Sequence, residues 1–302
     1  MVDLTHYSGA VIDRAAERRT DETWVAARLA DPESRFIPVW RGHSLINDLG
    51  TTDAVLLTAA EARDFIDHAT VAPILLGMTN GHALFAIDIS YLDDNEAALL
   101  GGDGHFVELY GVATQLVRDE ASLLSHAAWL VHWAQKHNHC GTCGRPTTAA
   151  QAGHLRRCTD ATCGALHFPR TDPAVIVLVE HQGRCLLARQ RGWTGRLHSC
   201  LAGFVEPGEA AEEAVVREVF EEAGVRVHDV RFHATQPWPY PCSLMIGFFA
   251  QASDPTINMG DDELAEAGWY SRDDLRSPDL DIELPRHDSI ARRLIDDWIA
   301  RG

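Results

Sequence analysis

Nowhere in the 302 residues does an apolar run approach the ~18 uninterrupted residues that a membrane-spanning helix needs. The segment Met1 to Thr20 also lacks the apolar core of a signal peptide and instead carries Asp13, Arg14, Glu17, Arg18 and Arg19. These absences lead us to expect a soluble, cytoplasmic protein with no membrane partner. Basic charge is scarce, with 26 Lys and Arg against 44 Asp and Glu and a formal net charge of -18. Broad nonspecific nucleic-acid binding rests on Lys and Arg contacts to phosphates, so this balance argues against it. A short nucleotide end held through a metal remains compatible. Internal repeats and low-complexity tracts are missing, and nothing in residues 1–136 has catalytic spacing. Histidines there, such as His43, His82 and His105, read as surface or satisfied core residues. What the chain does have is core material: 46% of it is apolar, enough for two domains and a small module.

The most informative stretch runs from Gly203-Phe204-Val205-Glu206-Pro207-Gly208-Glu209 into Arg217-Glu218-Val219-Phe220-Glu221-Glu222-Ala223-Gly224-Val225. Between Glu209 and Ala223 there is no proline or glycine, and Ala211, Ala214, Val215 and Val219 recur at helical spacing. The spacing predicts a helix on which Glu218, Glu221 and Glu222 share one face. Like charges so placed destabilise a helix, and a hard divalent cation with oxygen ligands, Mg2+ or Mn2+, is the fitting compensation. Gly203 and Gly208 permit a tight loop, Gly224 suits a left-handed helix cap, and Arg217 can pair with Glu209 to fix the loop.

Four of the seven cysteines cluster as Cys140-Gly-Thr-Cys143 and, after fourteen intervening residues, Cys158-Thr-Asp-Ala-Thr-Cys163. In a reducing compartment this spacing suits a tetrahedral, structural Zn2+ site better than disulfides. The second pair has four intervening residues where the commonest knuckle has two, and His139, His154 and His167 are possible substitutes for Cys163. Cys185, Cys200 and Cys242 read as small core or near-site residues.

Patterning divides the chain into an α+β domain over 1–136, the ribbon over 137–168 and an α/β domain over 169–302. In the first we expect a helix over 13–30, strands over 36–40, 54–57, 72–77 and 83–87, and a helix over 109–135. In the last we expect strands over 173–179 and 184–189 joined by a hairpin turn, strands over 227–235 and 244–252, and a closing helix over 291–300. Between the last two strands lies Thr235-Gln236-Pro237-Trp238-Pro239-Tyr240-Pro241-Cys242-Ser243. Its prolines freeze an extended loop that either presents aromatic faces and polar donors to a ligand or forms a rigid hydrophobic corner.

The segment from Gly203 to Val225 resembles the Nudix box, G-x5-E-x7-R-E-U-x-E-E-x-G-U, at every fixed position. The proline-aromatic segment is similar to the S-Q-P-W-P-F-P-x-S motif of the NADH pyrophosphatases within that superfamily, with Thr235 and Tyr240 as mild departures. Together with the ribbon and His167-Phe168-Pro169-Arg170-Thr171-Asp172-Pro173-Ala174, the resemblance covers nearly the whole chain. It implies an α/β/α sandwich with a mixed sheet, cleavage of NAD(H) to NMN(H) and AMP, removal of NAD caps from RNA 5′ ends, and a homodimer. Carried over, Glu218, Glu221, Glu222 and Glu263 fall on catalytic, metal-binding positions. Substrate-contact positions fall on Gln236, Pro237, Trp238, Pro239, Tyr240, Pro241, Cys242 and Ser243, and on Phe168, Ala202 and Ala291. Two other readings stand beside this one: a broader dinucleotide or nucleoside-diphosphate-X pyrophosphatase, and a zinc-ribbon regulator that senses a nucleotide without hydrolysing it.

Overall fold

The computed structural model describes residues 5–259 and 263–301; Asp262, the neighbour of Glu263, lies outside them. Packing groups Tyr7–Arg170 with Pro239–Cys242 as one unit, and Thr171–Trp238 with Ser243–Gly302 and Met1–His6 as the other.

In the first unit the stretch 13–30 is a 3-10 turn, Ala16–Arg18, followed by α1 (Glu22–Leu29), where one helix was expected. Asp21 explains the break, because its side chain accepts from the Trp24 N–H and caps a new helix there. The strands are β1 (Arg35–Trp40), β2 (His43–Asn47), β3 (Asp53–Ala54), β4 (Leu57–Thr58), β5 (Ile74–Thr79), β6 (His82–Asp88) and β7 (His105–Val107). They form a mixed sheet of order β3-β2-β1-β6-β5, with β4 on β1, β7 on β2, and β1 parallel to β6. The strand expected over 54–57 is therefore two short bridges, β3 and β4. Helices α2 (Ala59–Ile66) and α3 (Asp94–Gly101) each open on a complete capping box, Thr58 with Glu61 and Asp93 with Glu96. The expected helix over 109–135 is split into α4 (Leu109–Val112) and α5 (Arg118–Lys136). Gly111, Thr114 and Val117, all poor helix formers, lie at or beside the break. Phe36 and Phe85 stack at 5.4 Å within the core of this unit. The ribbon adds a three-stranded antiparallel sheet, β8 (Thr147–Ala150), β9 (Leu155–Cys158) and β10 (Leu166–His167).

The second unit is built on β11 (Asp172–His181), β12 (Arg184–Gln190), β13 (Leu201–Phe204), β14 (Val227–Trp238), β15 (Ser243–Ala252) and β16 (Leu264–Ser271). The order is β14-β15-β11-β12-β16 with β13 on β11, and β11 runs parallel to β15. Gln182 and Gly183, both with positive φ, make the tight turn between β11 and β12. Alternation along β11 sets the layers. Val175, Val177 and Val179 pack with Ala214, Val215 and Val219 of α6 (Ala211–Ala223). Ile176 and Leu178 pack on the other face with Leu294, Ile295 and Trp298 of α8 (Ile290–Ala300). A short α7 (Arg272–Arg276) precedes α8. The result is a mixed sheet between helices, an α/β/α sandwich.

Candidate active site and metal centres

The loop from β13 to α6 is drawn onto the helix by one guanidinium. Arg217 Nε and Nη2 donate to the two carboxylate oxygens of Glu209 at 2.8 and 2.9 Å. Nη2 also donates to the Phe204 carbonyl at 2.9 Å, and Nη1 to Glu218 at 2.8 Å and Glu221 at 3.0 Å. The Glu206 N–H donates back to Glu209 at 3.0 Å. The pairing of Arg217 with Glu209 thus has the forked geometry that makes arginine, and not lysine, the fitting residue.

Both glycines of the motif have steric reasons. A Cβ on Gly203 would stand 1.9 Å from the Glu218 carboxyl carbon, so the Glu218 carboxylate can hold this position only with no side chain at 203. Gly224 takes the left-handed cap at φ 67, where an added Cβ would also meet the Asn258 carbonyl oxygen at 2.6 Å.

The carboxylates differ in setting. Glu222 is 5% exposed. Burial, then the nearby Glu218 and Glu263, pushes its pKa up to about 8, against the pull of the Ala202 N–H. Burial also raises Glu218. Glu221 is half-exposed and Glu263 exposed, the latter close enough to act on both buried glutamates. The structure therefore brings Glu218, Glu221, Glu222, Glu263, Ala202 and Gly203 into one region. A hard cation fits this donor set, because Glu222 is a buried acid whose charge the protein leaves uncompensated.

The four ribbon sulfurs lie within 4.8 Å of one another, with Cys140 to Cys163 at 3.8 Å and Cys143 to Cys158 at 3.4 Å. Tetrahedral Zn–S bonds of ~2.3 Å put sulfurs about 3.8 Å apart, so Zn2+ fits. His167 Nε2 sits 3.3 Å from the Cys140 sulfur as a neighbour of the set. His154 is elsewhere, bonded to the Leu75 carbonyl.

The proline-aromatic segment divides. Gln236 is fully buried, and both ends of its amide are engaged: Nε2 donates to the Asp288 carbonyl at 2.6 Å and Oε1 accepts from the Ile290 N–H at 2.7 Å. In the fold these amide bonds hold the start of α8. Pro237 and Trp238 end β14, and Ser243 is buried at the start of β15. Pro239–Cys242 turn between them, and Pro239 and Tyr240 line a cavity of ≈ 230 Å³ with Arg41, His43 and Glu108. Tyr240 meets Tyr7 and Tyr110 edge-on at 6.0 and 5.6 Å. Phe168 is 60% exposed in the unit that carries the ribbon. Ala291 has its side chain in the core beneath α8, beside Cys200, which burial raises well above an ordinary thiol. The residues around the site that went unseen in the sequence are Asp288 and Ser289. Ser289 caps α8 through the Arg292 N–H, and a serine directly before an apolar helical run was the available signal.

A family model described as NUDIX domain matches residues 169–297, and one described as NADH pyrophosphatase-like rudimentary NUDIX domain matches residues 33–133. "Nudix hydrolase 19, chloroplastic" of Arabidopsis thaliana is 42% identical over 64% of this chain and 47% of its own length. "NAD-capped RNA hydrolase NudC" of Mycobacterium bovis is 41% identical over 64% of this chain and 65% of its own. "NAD-capped RNA hydrolase NUDT12" of Homo sapiens is 30% identical over 97% of this chain and 73% of its own. The chain thus spans about half to two thirds of the first two relatives. It belongs to the Nudix hydrolases, in their NADH pyrophosphatase-like branch.

Three outcomes follow from this geometry. Gly203→Ala pushes against the flexible end of Glu218, so the fold should survive with a melting temperature within a few degrees while divalent-metal affinity drops at least tenfold. Unaltered affinity by calorimetry would remove Gly203 from the site. For Glu222 the folded pKa lies above the ordinary 4.5, so its contribution to metal-free stability is complete below about pH 4.5 and is lost as pH rises through about 8. The loss is on the order of 4 kcal/mol. Melting in EDTA should fall between pH 5 and 8 more steeply for the native protein than for Glu222→Gln, and Mg2+ should flatten the native curve; parallel curves count against the buried acid. Cys140→Ser should lower zinc content and melting temperature together, from about one zinc per chain in the native protein. An unchanged zinc content would free Cys140 from the ligand set.

Proposed function

We propose that the protein is a metal-dependent NAD(H) diphosphatase that cleaves the pyrophosphate of NADH or NAD+ into NMN(H) and AMP, and that the same reaction removes NAD caps from RNA 5′ ends. The chemistry rests on one observation above the others, the buried Glu222 facing Glu218 and Glu263 with no cation of the protein's own against it. The substrate rests on the names of the mycobacterial and human relatives and on the NADH pyrophosphatase-like match over residues 33–133.

Mg2+ or Mn2+ held by Glu218, Glu221, Glu222 and Glu263 would neutralise phosphate charge and make a water more acidic. Arg217 keeps Glu218 and Glu221 oriented and ties the loop through Glu209. Proton removal falls to Glu263 or to a box glutamate. Trp238 and Tyr240, with Pro237, Pro239, Pro241, Cys242 and Ser243, and with Phe168, Ala202 and Ala291, would frame the dinucleotide. Cys140, Cys143, Cys158 and Cys163 would carry a structural Zn2+ remote from the chemistry.

The functional division is a domain over 1–136, a ribbon over 137–168 and a catalytic domain over 169–302. The working form is a cytoplasmic homodimer. Among the described residues no helix is long and apolar enough to cross a membrane. The internal use of Gln236 favours, as the second reading, a broader dinucleotide or nucleoside-diphosphate-X pyrophosphatase.

Products from NADH, NAD+, ADP-ribose and NAD-capped RNA with Mg2+ or Mn2+ decide between the two. NMN(H) and AMP should appear, with kcat/KM for NADH at least tenfold above that for ADP-ribose; equal values select the broader enzyme. Glu222→Gln should retain the fold and lose about a hundredfold or more in turnover, whereas near-native turnover at saturating metal would sink the assignment.

A further inference from the structure

Away from the carboxylates, the ribbon-bearing unit gathers two guanidiniums and two imidazoles without a carboxylate among them. The chain from Ala10 to Arg14 runs along α5. The Val11 N–H donates to Asp119 at 2.6 Å, the Ala10 N–H to Ser122 at 3.3 Å, and Arg14 Nη1 to His126 Nε2 at 3.1 Å. The His126 ring lies 6.4 Å from that of His154. His154 is buried and donates from Nε2 to the Leu75 carbonyl at 2.7 Å, which leaves Nδ1 as an acceptor in the neutral ring. Its position is set by Gly153, whose φ of +90 and close approach to Ile74 exclude a side chain. Arg19 completes the group: Nη2 donates to the Arg14 carbonyl at 3.0 Å, and Nε is buried with no hydrogen-bond partner.

Nothing of opposite sign is seated on these groups. Among the described residues Arg14 and Arg19 form no ion pair with a carboxylate. Asp13 is occupied by the Ala15 N–H, and Glu17 is exposed and attracts Arg19 only through space. Burial, then Arg14, drives His126 down to about 3, and burial holds His154 at about 4. Both rings are therefore neutral at pH 7, and the charge of Arg14 is close enough to Arg19 to act on it. The Arg19 Nε, a buried donor without a partner, carries a desolvation penalty of about 1–3 kcal/mol.

We propose that Arg14, Arg19, His126 and His154 form a binding site for a phosphate group, either free phosphate or the terminal phosphate of a nucleoside monophosphate. A phosphate dianion offsets both arginine charges, gives the Arg19 Nε an acceptor, and matches the planar guanidinium fork. It also favours protonation of both imidazoles, with Arg14 Nη1 turning from His126 Nε2 to the phosphate so that the N–H groups of each ring become free to donate. The site is separate from the pyrophosphate chemistry and does not depend on the catalytic assignment.

The test is a titration of inorganic phosphate into the zinc-loaded full chain at pH 7, with ionic strength held constant by chloride and the histidine ring resonances followed by NMR. Saturable shifts at His126 and His154 are expected, with both ring pKa values moving up. Arg19→Gln should weaken phosphate binding at least tenfold; should that variant fail to fold, Arg14→Gln carries the same comparison. AMP in place of phosphate separates the sources: tighter AMP binding assigns a nucleotide monophosphate, and equal binding assigns free phosphate. Shifts that grow without saturation, or equal binding by the folded arginine variants, would overturn the site.

Discussion

A single guanidinium holds four oxygen-bearing partners at once. Arg217 meets Glu209 in a fork, touches Glu218 and Glu221, and takes the Phe204 carbonyl. Without it, the carboxylates at 218 and 221 would repel across one helix face, and the loop from 203 to 209 would have no anchor on α6. Each of these bonds is charge-assisted, and the fork to Glu209 adds directional specificity to the attraction. The loop's position then determines two other features. Gly203 is brought beneath the Glu218 carboxylate, and the Ala202 N–H is brought to Glu222. Arg217 thus shapes the site while making no contact of its own with Glu222, the most buried of its acids.

The same helix must satisfy two opposing requirements. Its Ala214, Val215, Val219 and Ala223 are wholly buried against β11 and its neighbours, while Glu218 and Glu222 are partly drawn out of water beside them. Burial of the valines supplies about 1.5–3 kcal/mol apiece, which lets the fold tolerate an acid held at about 8. A cation then lowers a cost already built into the protein, so metal affinity and strain in the metal-free fold have one origin.

The helix of the box was legible because its apolar and acidic residues both repeat at helical spacing and Gly224 marked its left-handed cap, whereas Gly203, expected in a tight loop, lies within β13 and is required by the approach of Glu218. The strand over 173–179 was equally plain from its β-branched run. Less legible were α2 and α3, whose capping boxes, Thr58 with Glu61 and Asp93 with Glu96, were present but open short helices that give periodicity few turns in which to show. Strand β16 was invisible because Leu264–Ser271 mixes Ala, Glu, Gly and Trp, and its identity as a strand comes from pairing with β12. The approach of Arg14, Arg19, His126 and His154 could not be read either, since more than 100 positions separate Arg14 from His126.

Gln236 shows why a motif's residue types do not by themselves assign its work. Its polar side chain, between Thr235 and Pro237 on a proline-stiffened segment, suggested a donor for a ligand. In the fold, the amide instead bridges the Asp288 carbonyl and the Ile290 N–H. Those two backbone groups flank Ser289, whose hydroxyl caps α8, so the glutamine fixes where that helix begins. Ala291 lies in the same first turn, with Cys200 and Leu294 in its core. A change at Gln236 would therefore leave two buried backbone groups unpaired and shift the base of α8 together with Ala291. Loss of substrate binding in such a variant would be an indirect effect of that shift, because the amide acts on the start of α8 and, through it, on Ala291.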